Sequence, residues 1–463
     1  MRLWVRLFLA GVGLGLARGA NPDGDSCAPI PTFADGKAPL RTRFVSPAGD
    51  DATADGSLAR PFRTLTRAAA GIRSGDAIRL LPGTHPPGTH LADLSGTAEH
   101  PIWIGGLPGQ PRPVIAGGNQ ALHLARVRHV VVENLEVHGA AQNGINCEDG
   151  GARADPDATR HVVFRNLAFR DIGSGGNQDA LKLSGVDDYC VLDCAFARTS
   201  AGGSGIDHVG CHHGLIARCE FREMGGNAIQ CKGGSEDIEI RSNRFFEGGE
   251  RGINIGGSTG FDFFRPPLSV TAPNAEARNI RVRANLFVGG EAPVAFVGSV
   301  DSLVANNTFI TPHRWVLRIL QETTSEGRYT FLRCGDNRFV NNLVWFDRAG
   351  LSAFVNIGPH TLPATHSFAH NLWYAFDQPS RSRPNLPATE TDGLYRSDPR
   401  FVNAAAGDYR LTADSPAAGA AAPDAAPPAD LLGRGYASPP SIGAIEAHPA
   451  PLRDPEHHGA PDP

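Results

Sequence analysis

A motif recurs along this chain every 24 to 27 residues, and that period decides what the chain can fold into. The segments HVVVENLEV, HVVFRNLAF, YCVLDCAF, GLIARCEF, DIEIRSNRF, NIRVRANLF, SLVANNTF and DNRFVNNLVW share one theme. Each is a short alternating strand that ends in Asn or Cys, followed by one residue and then an apolar anchor. The anchors Phe169, Phe196, Phe221 and Phe245 lie 27, 25 and 24 residues apart. That length suits one coil of a right-handed parallel β-helix, in which stacked coils bury a continuous core. The fold class expected is therefore all-β. Asn243, Asn285 and Asn307 stand at the coil corner, where an amide bonds along the stack and tolerates a left-handed turn. Cys194 and Cys219 replace them in adjacent coils. Coil spacing permits a bridge between the two, and two small buried thiols fit the same corner equally well.

A second set of strands lies between the first: NGINCEDGG, DALKLSG, GIDHVG, AIQCKGG and GINIGG. Alternation points Ile145/Cys147, Leu181/Leu183, Ile206/His208, Ile229/Cys231 and Ile253/Ile255 inward. Two outward columns remain. One runs Asn146, Lys182, Asp207, Gln230, Asn254, and the other Glu148, Ser184, Val209, Lys232, Gly256. The chain has only three lysines, and two of them fall on this one face. A face with a merely structural role has no need to gather lysines, acids and amides.

The flanks extend the same architecture. An amphipathic helix is expected from about Phe62 to Ile72, placed to cap the open end of the coils. DPRFVNAAAGDYRLTADSPAAGAA and SIGAIE predict a terminal strand pair closing the other end, with 416–429 as a linker-like loop. Between Phe245 and Phe287 the spacing jumps to 42 residues. The excess, 258–278, predicts a loop walling a groove, with Phe261, Phe263, Phe264 and Arg265 offering a sugar-stacking and carboxylate-binding surface. A hydrophobic plug formed by its three phenylalanines is the competing expectation.

Arg2 and Arg6 followed by LFLAGVGLGLA and a small-residue stretch predict a secretory leader over 1–20. A linker (21–40), the β-helix (41–447) and a disordered tail (448–463) come after it. The protein is then exported to the periplasm or beyond, where its eight cysteines are free to form disulfides. A formal net charge of −5 gives no pull toward nucleic acid or an anionic membrane. A monomer is expected.

The repeat, FVSPAGDDATADGSLARPFRTLTRAAAGIRSGD near the start and IGAIE near the end resemble the secreted β-helix proteins of the pectate lyase-like superfamily, over residues 40–447. IQCKGGSEDIEIRSNRF is similar to the stretch around the catalytic lysine of the chondroitinase B and alginate lyase family, which places Lys232 at that position. Gly256 stands where that family has a catalytic arginine. Gly225 and Asn227 stand where it has calcium-binding acids. The resemblance implies a lyase acting on an acidic, uronate-containing polysaccharide; no cofactor is certain, and calcium is left open.

Such a lyase must neutralise the sugar carboxylate, remove the adjacent proton and let the linked oxygen leave. A lysine serves as the base if positive neighbours and partial desolvation favour its neutral form. Lys232 is expected to have Arg251 and Lys182 as those neighbours. Arg251, Arg265 or a metal would neutralise the carboxylate, and His212 or His213 would protonate the leaving oxygen. Asp207 joins the catalytic candidates; Lys182, Glu148, Gln230, Asn254, Arg265 and Phe261 are the substrate-binding ones. Two alternatives stay open. One is a glycoside hydrolase pairing Asp207 with Glu148, Asp179 or Asp149; the other is a non-catalytic carbohydrate-binding β-helix. Lys182 and Asp207 would also suit a plain inter-coil ion pair.

Overall fold

The computed structural model of the chain describes residues 30–447. The expected leader and tail lie outside these residues. The chain winds into a right-handed parallel β-helix whose three long sheets have 13, 10 and 12 strands, each paired almost wholly with the coil before and the coil after. Parallel strands joined by short turns leave no room for crossover helices, so the apolar side of every strand faces a common interior. All ten residues assigned inward on the second strand set are buried. Phe169, Phe196, Phe221, Phe245, Phe287 and Phe309 form one ladder of rings, successive centroids 4.9, 4.8, 4.9, 4.4 and 5.0 Å apart. The ladder passes the insertion without a gap.

The corner asparagines form a second ladder. Asn243 Nδ2 donates to Asn285 Oδ1 and Asn285 Nδ2 to Asn307 Oδ1, each over 3.0 Å. The residue that takes the left-handed turn is not the ladder asparagine but the one before it: Ser242, Ala284, Asn306 and Asn341 have φ of 56°, 51°, 52° and 60°. The ladder residue is thus freed to aim its amide along the stack. Cys194 and Cys219 are free, so the bridge does not form. Their thiols instead donate to carbonyl oxygens of Leu192 and Ala217.

The helix is shorter than expected, Leu65–Ala69, with Thr64 Oγ1 accepting from the Arg67 amide at its start. Leu65 and Ala68 join the central core. The terminal strand pair forms within the first of the two expected stretches, Phe401–Asn403 antiparallel to Asp408–Leu411, whereas SIGAIE forms no strand, and the chain between does not hang as a linker. Ala417, Ala421 and Ile442 pack on Leu343 and Leu372. Leu431, Ala444 and Ile445 pack on Leu286 and Ile310, and Ala425 on Ala305 and Val340. The C-terminal segment therefore runs along the flank. At the other terminus Ile30, Phe33 and Ala34, expected within a linker, cover Trp103, Val131 and Val163 of the thirteen-stranded sheet. The two terminal segments thus cloak the outer sides of two sheets, and the ten-stranded sheet keeps a polar outer face. Among the described residues no helix is long and apolar enough to cross a membrane.

Candidate functional site

Register along the ten-stranded sheet aligns His123, Asn146, Lys182, Asp207, Gln230 and Asn254 in one outward column. Lys232 pairs with Val209 in the neighbouring column. The two lysines converge on one carboxylate. Lys182 Nζ bonds Asp207 Oδ2 and lies 3.3 Å from Asp179 Oδ2; Lys232 Nζ lies 3.5 Å from the same Asp207 oxygen. Both acids are buried, whereas the lysine side chains keep 18% and 12% of their surface exposed. The amines therefore form the face and the carboxylates its floor.

The floor splits the two acids. Burial alone would raise Asp207, but the ammonium groups of Lys182 and Lys232 hold its carboxyl below the ordinary range. Asp179 is pushed up to about 6 by burial and by the Asp207 charge, which the Lys182 ammonium only partly offsets. Burial works against the charge of Lys182, yet Asp207 and Asp179 raise its pKa above the ordinary lysine value.

The rest of the expected constellation divides. Arg251 approaches the column: its Nη1 donates to Asn254 Oδ1 at 3.1 Å and its Nη2 to Glu322 Oε1 at 2.6 Å. The uncompensated cations expected around Lys232 are thus corrected, because Asp207 and Asp179 match Lys182 and Glu322 matches Arg251. Gln230 Oε1 accepts from Asn227 at 3.2 Å. Glu148 lies farther along the sheet against His123, 3.0 Å away.

Arg265 does not face the groove. It is buried, its Nε and Nη2 clamped on Asp149 Oδ2 and Oδ1 at 2.6 and 3.1 Å. Gly210, at a φ of 59°, makes the seat: a Cβ there would come within 2.4 Å of the Arg265 Cβ. Phe261 is packed too, its ring 5.5 Å from those of Phe331 and Tyr329, and Phe264 is buried against Phe331. The insertion is therefore a plugged arm clasped by a second loop. Its exposed ring is Phe263, 54% accessible, with the Arg153 guanidinium 5.2 Å from its centroid.

The histidines are elsewhere. Both His212 nitrogens are engaged, by Asp187 Oδ1 at 2.8 Å and the Gly234 carbonyl at 3.1 Å. Burial would lower its pKa, but Asp187 raises it overall. His213 is exposed, 3.8 Å from both Asp188 and Asp237. Neither histidine forms a hydrogen bond or ion pair with Lys182, Lys232 or Asp207, so the structure does not bring them into the cluster.

Sequence reasoning missed Glu276. Buried at the base of the insertion, it accepts from the amides of Gly233 and Thr259 at 2.7 and 2.9 Å and from the hydroxyls of Thr259 and Thr323. It ties the arm and the second loop to the residue following Lys232. No spacing rule announces it; an acid at the return point of an inserted loop was the one signal. Among the described residues no group of three or more His, Cys, Asp or Glu side chains is arranged to hold a metal ion.

The family described as "right handed beta helix region" matches residues 114–265. No curated protein matches the chain. Among solved structures, pectate lyase Pel9A is similar with a TM-score of 0.56 at 16% identity, over 92% of this chain and 100% of that one. The lacto-N-biosidase of family GH136 from Eubacterium ramulus aligns with a TM-score of 0.47 at 15% identity, over 77% and 68% of the two chains. A mannuronic acid specific polysaccharide lyase of family 6 from human gut microbiota gives 0.45 at 15%, over 77% and 83%. At such identities the likeness to Pel9A is one of fold.

Proposed function

We propose that this β-helix is an exported polysaccharide lyase that cleaves a uronate-containing chain by β-elimination, with Lys232 as the base. One observation carries the reading: the amines of Lys182 and Lys232 face outward, and the acids beneath them are buried. Asp207 is already matched by Lys182, which leaves Lys232 the side chain with the least committed counter-ion. In the proposed step Lys232, an ammonium at rest beside Asp207, first gives a proton to solvent, and the resulting amine takes the proton beside the sugar carboxylate. The electron pair left behind forms a carbon–carbon double bond and expels the linked oxygen. The ammonium so formed returns its proton to that oxygen, so no histidine is required. Arg251, exchanging Glu322 for the sugar carboxylate, would stabilise the charge that develops. The fold shared with pectate lyase Pel9A supports the reading at the level of scaffold, and the export read from residues 1–20 belongs to it.

The test is a panel of alginate, pectate and glycosaminoglycans, with and without chelator, followed by the ultraviolet absorbance of the new double bond. Lys232→Ala and Lys232→Arg should each lower turnover by about 10²–10⁴-fold, with thermal unfolding unchanged. A fully active Lys232→Arg enzyme would sink the base assignment. Hydrolysis is the second reading, favoured because Asp179 and Asp207 titrate in opposite directions, as an acid and its partner do. Both are buried under Lys182, out of reach of a glycosidic oxygen. New reducing ends without absorbance would select it nonetheless.

A further inference from the structure

Past the strand of Lys232 the ten-stranded sheet continues through Arg251–Gly256, Val294–Val297 and Trp315–Leu320 to its last strand, Ala353–Ile357. A cavity of about 460 Å³ lies against that strand, lined by Arg348, Arg381, Arg383, Asn385, Ser352 and Phe354. Elsewhere this chain pairs its surface arginines with acids of the preceding coil, as in Arg126–Asp93, Arg198–Asp171 and Arg218–Asp193. The three cavity arginines break that habit. Arg348 Nη1 donates to the Leu351 carbonyl and its guanidinium lies 5.2 Å from the Phe354 ring centroid. Arg381 donates to Gln378 Oε1, and Arg383 stacks on Tyr395 at 5.0 Å. Each is thus oriented by a neutral partner, and among the described residues none has an ion pair. The carboxylate of nearby Asp377 is spent on the amides of Arg348 and Ala349. Three oriented, uncompensated guanidiniums around a cavity favour an anion.

Cationic groups continue between this cavity and the lysine cluster. Arg314 and Arg318 stand 4.1 and 4.4 Å from the Trp315 ring centroid, Arg314 also ion-paired with Glu291 at 2.7 Å. Arg318 Nε reaches Asn356 Oδ1, on the last strand, at 3.1 Å. Four strand spacings of ~4.8 Å separate the Lys232 strand from that last strand, roughly 19 Å. We propose that the Arg348–Arg381–Arg383 pocket is a distal subsite for an acidic group, carboxylate or sulfate, on a polysaccharide whose scissile linkage lies at Lys232. The inference rests on the lyase reading and adds a length requirement. Only a chain of several sugars spans both places, so the enzyme favours long polyanions over short ones.

Affinity tests this without turnover. Two-sugar and eight-sugar oligomers from alginate, pectate and chondroitin sulfate are titrated by calorimetry into the full chain carrying Lys232→Ala, which binds without cleaving, and into the same chain with Arg381→Gln/Arg383→Gln or with Arg348→Gln added to these. The chain with all three arginines should bind at least one octamer more tightly than its dimer, and the arginine variants should lose about tenfold for that octamer while dimer affinity holds. The double variant alters only exposed side chains and stays informative if the triple one unfolds. Comparing the chondroitin sulfate octamer with its desulfated counterpart separates carboxylate from sulfate. Equal octamer affinity with and without the three arginines overturns the subsite, as does a chain with all three that binds none of the probes. If Lys232→Arg keeps full activity while the arginine variants lose octamer binding, the base assignment falls and the subsite stands.

Discussion

Lys182 sits between two acids that respond to it differently. Asp207, close to both ammonium groups, is held ionised, and Asp179 keeps its proton until about pH 6. A carboxyl whose folded pKa lies above its unfolded value binds more protons in the folded state over the interval between the two. Its contribution to stability is therefore largest below pH 3.8 and falls as pH rises to about 6. Asp207 has the opposite sign: its stabilisation is present above the unfolded value and lost as pH falls through the lower folded one. In Asp179→Asn the first term disappears, and the amide oxygen still accepts from the Ser204 amide. Between pH 4 and 6 the thermal midpoint of the wild type should fall relative to the variant; parallel curves would contradict the raised pKa. The lysines and Asp207 were legible in the sequence because strict alternation assigns them to one face. Asp179 entered only as an alternative carboxylate. It precedes the strand Leu181–Ser184, in a turn where alternation says nothing about direction.

The insertion behaves as an element with its own fastening. Removing Arg265 leaves Asp149 buried and uncompensated, a change that costs about 3–5 kcal/mol where a buried pair is broken. The arm can relieve that cost by lifting away. Arg265→Ala should therefore speed hydrogen exchange over residues 258–276 while exchange along the phenylalanine ladder stays slow. The double variant Asp149→Ala/Arg265→Ala should lose less stability than the single, since it buries no lone charge; equal losses would show that the clamp is not what seats the arm. The arm's position was legible from the jump in spacing, but its internal wiring was not. Arg265 reaches back to Asp149 and Phe261 forward to Tyr329 and Phe331, contacts that depend on how two loops meet and on no periodicity within either.

For the molecule as a whole, the terminal segments do the work that helices do on the sheets of other folds. Ile442 of the C-terminal segment is buried against Leu343 and Leu372 of the twelve-stranded sheet. Ile442→Ala should lower stability by about 2–5 kcal/mol, read from the urea midpoint; a silent variant would mean that this segment is only loosely attached. An Ala/Pro-rich stretch reads as a linker when hydrophobic bulk is the criterion. Ala417, Ala421, Ala425 and Ala429, all buried, recur every fourth residue, and small side chains let a backbone lie close on a flank. The coils themselves were legible throughout because each repeats the same apolar pattern. The segments lying over them were not, because each occurs once.

The ring ladder runs from Phe245 to Phe287 at 4.4 Å as though nothing stood between them in the chain. The insertion is therefore spliced between two coils without displacing the ring stack, and it is fastened from outside by Arg265 on Asp149. A replacement of different length would keep the same spine, provided that it supplies Asp149 with a new partner.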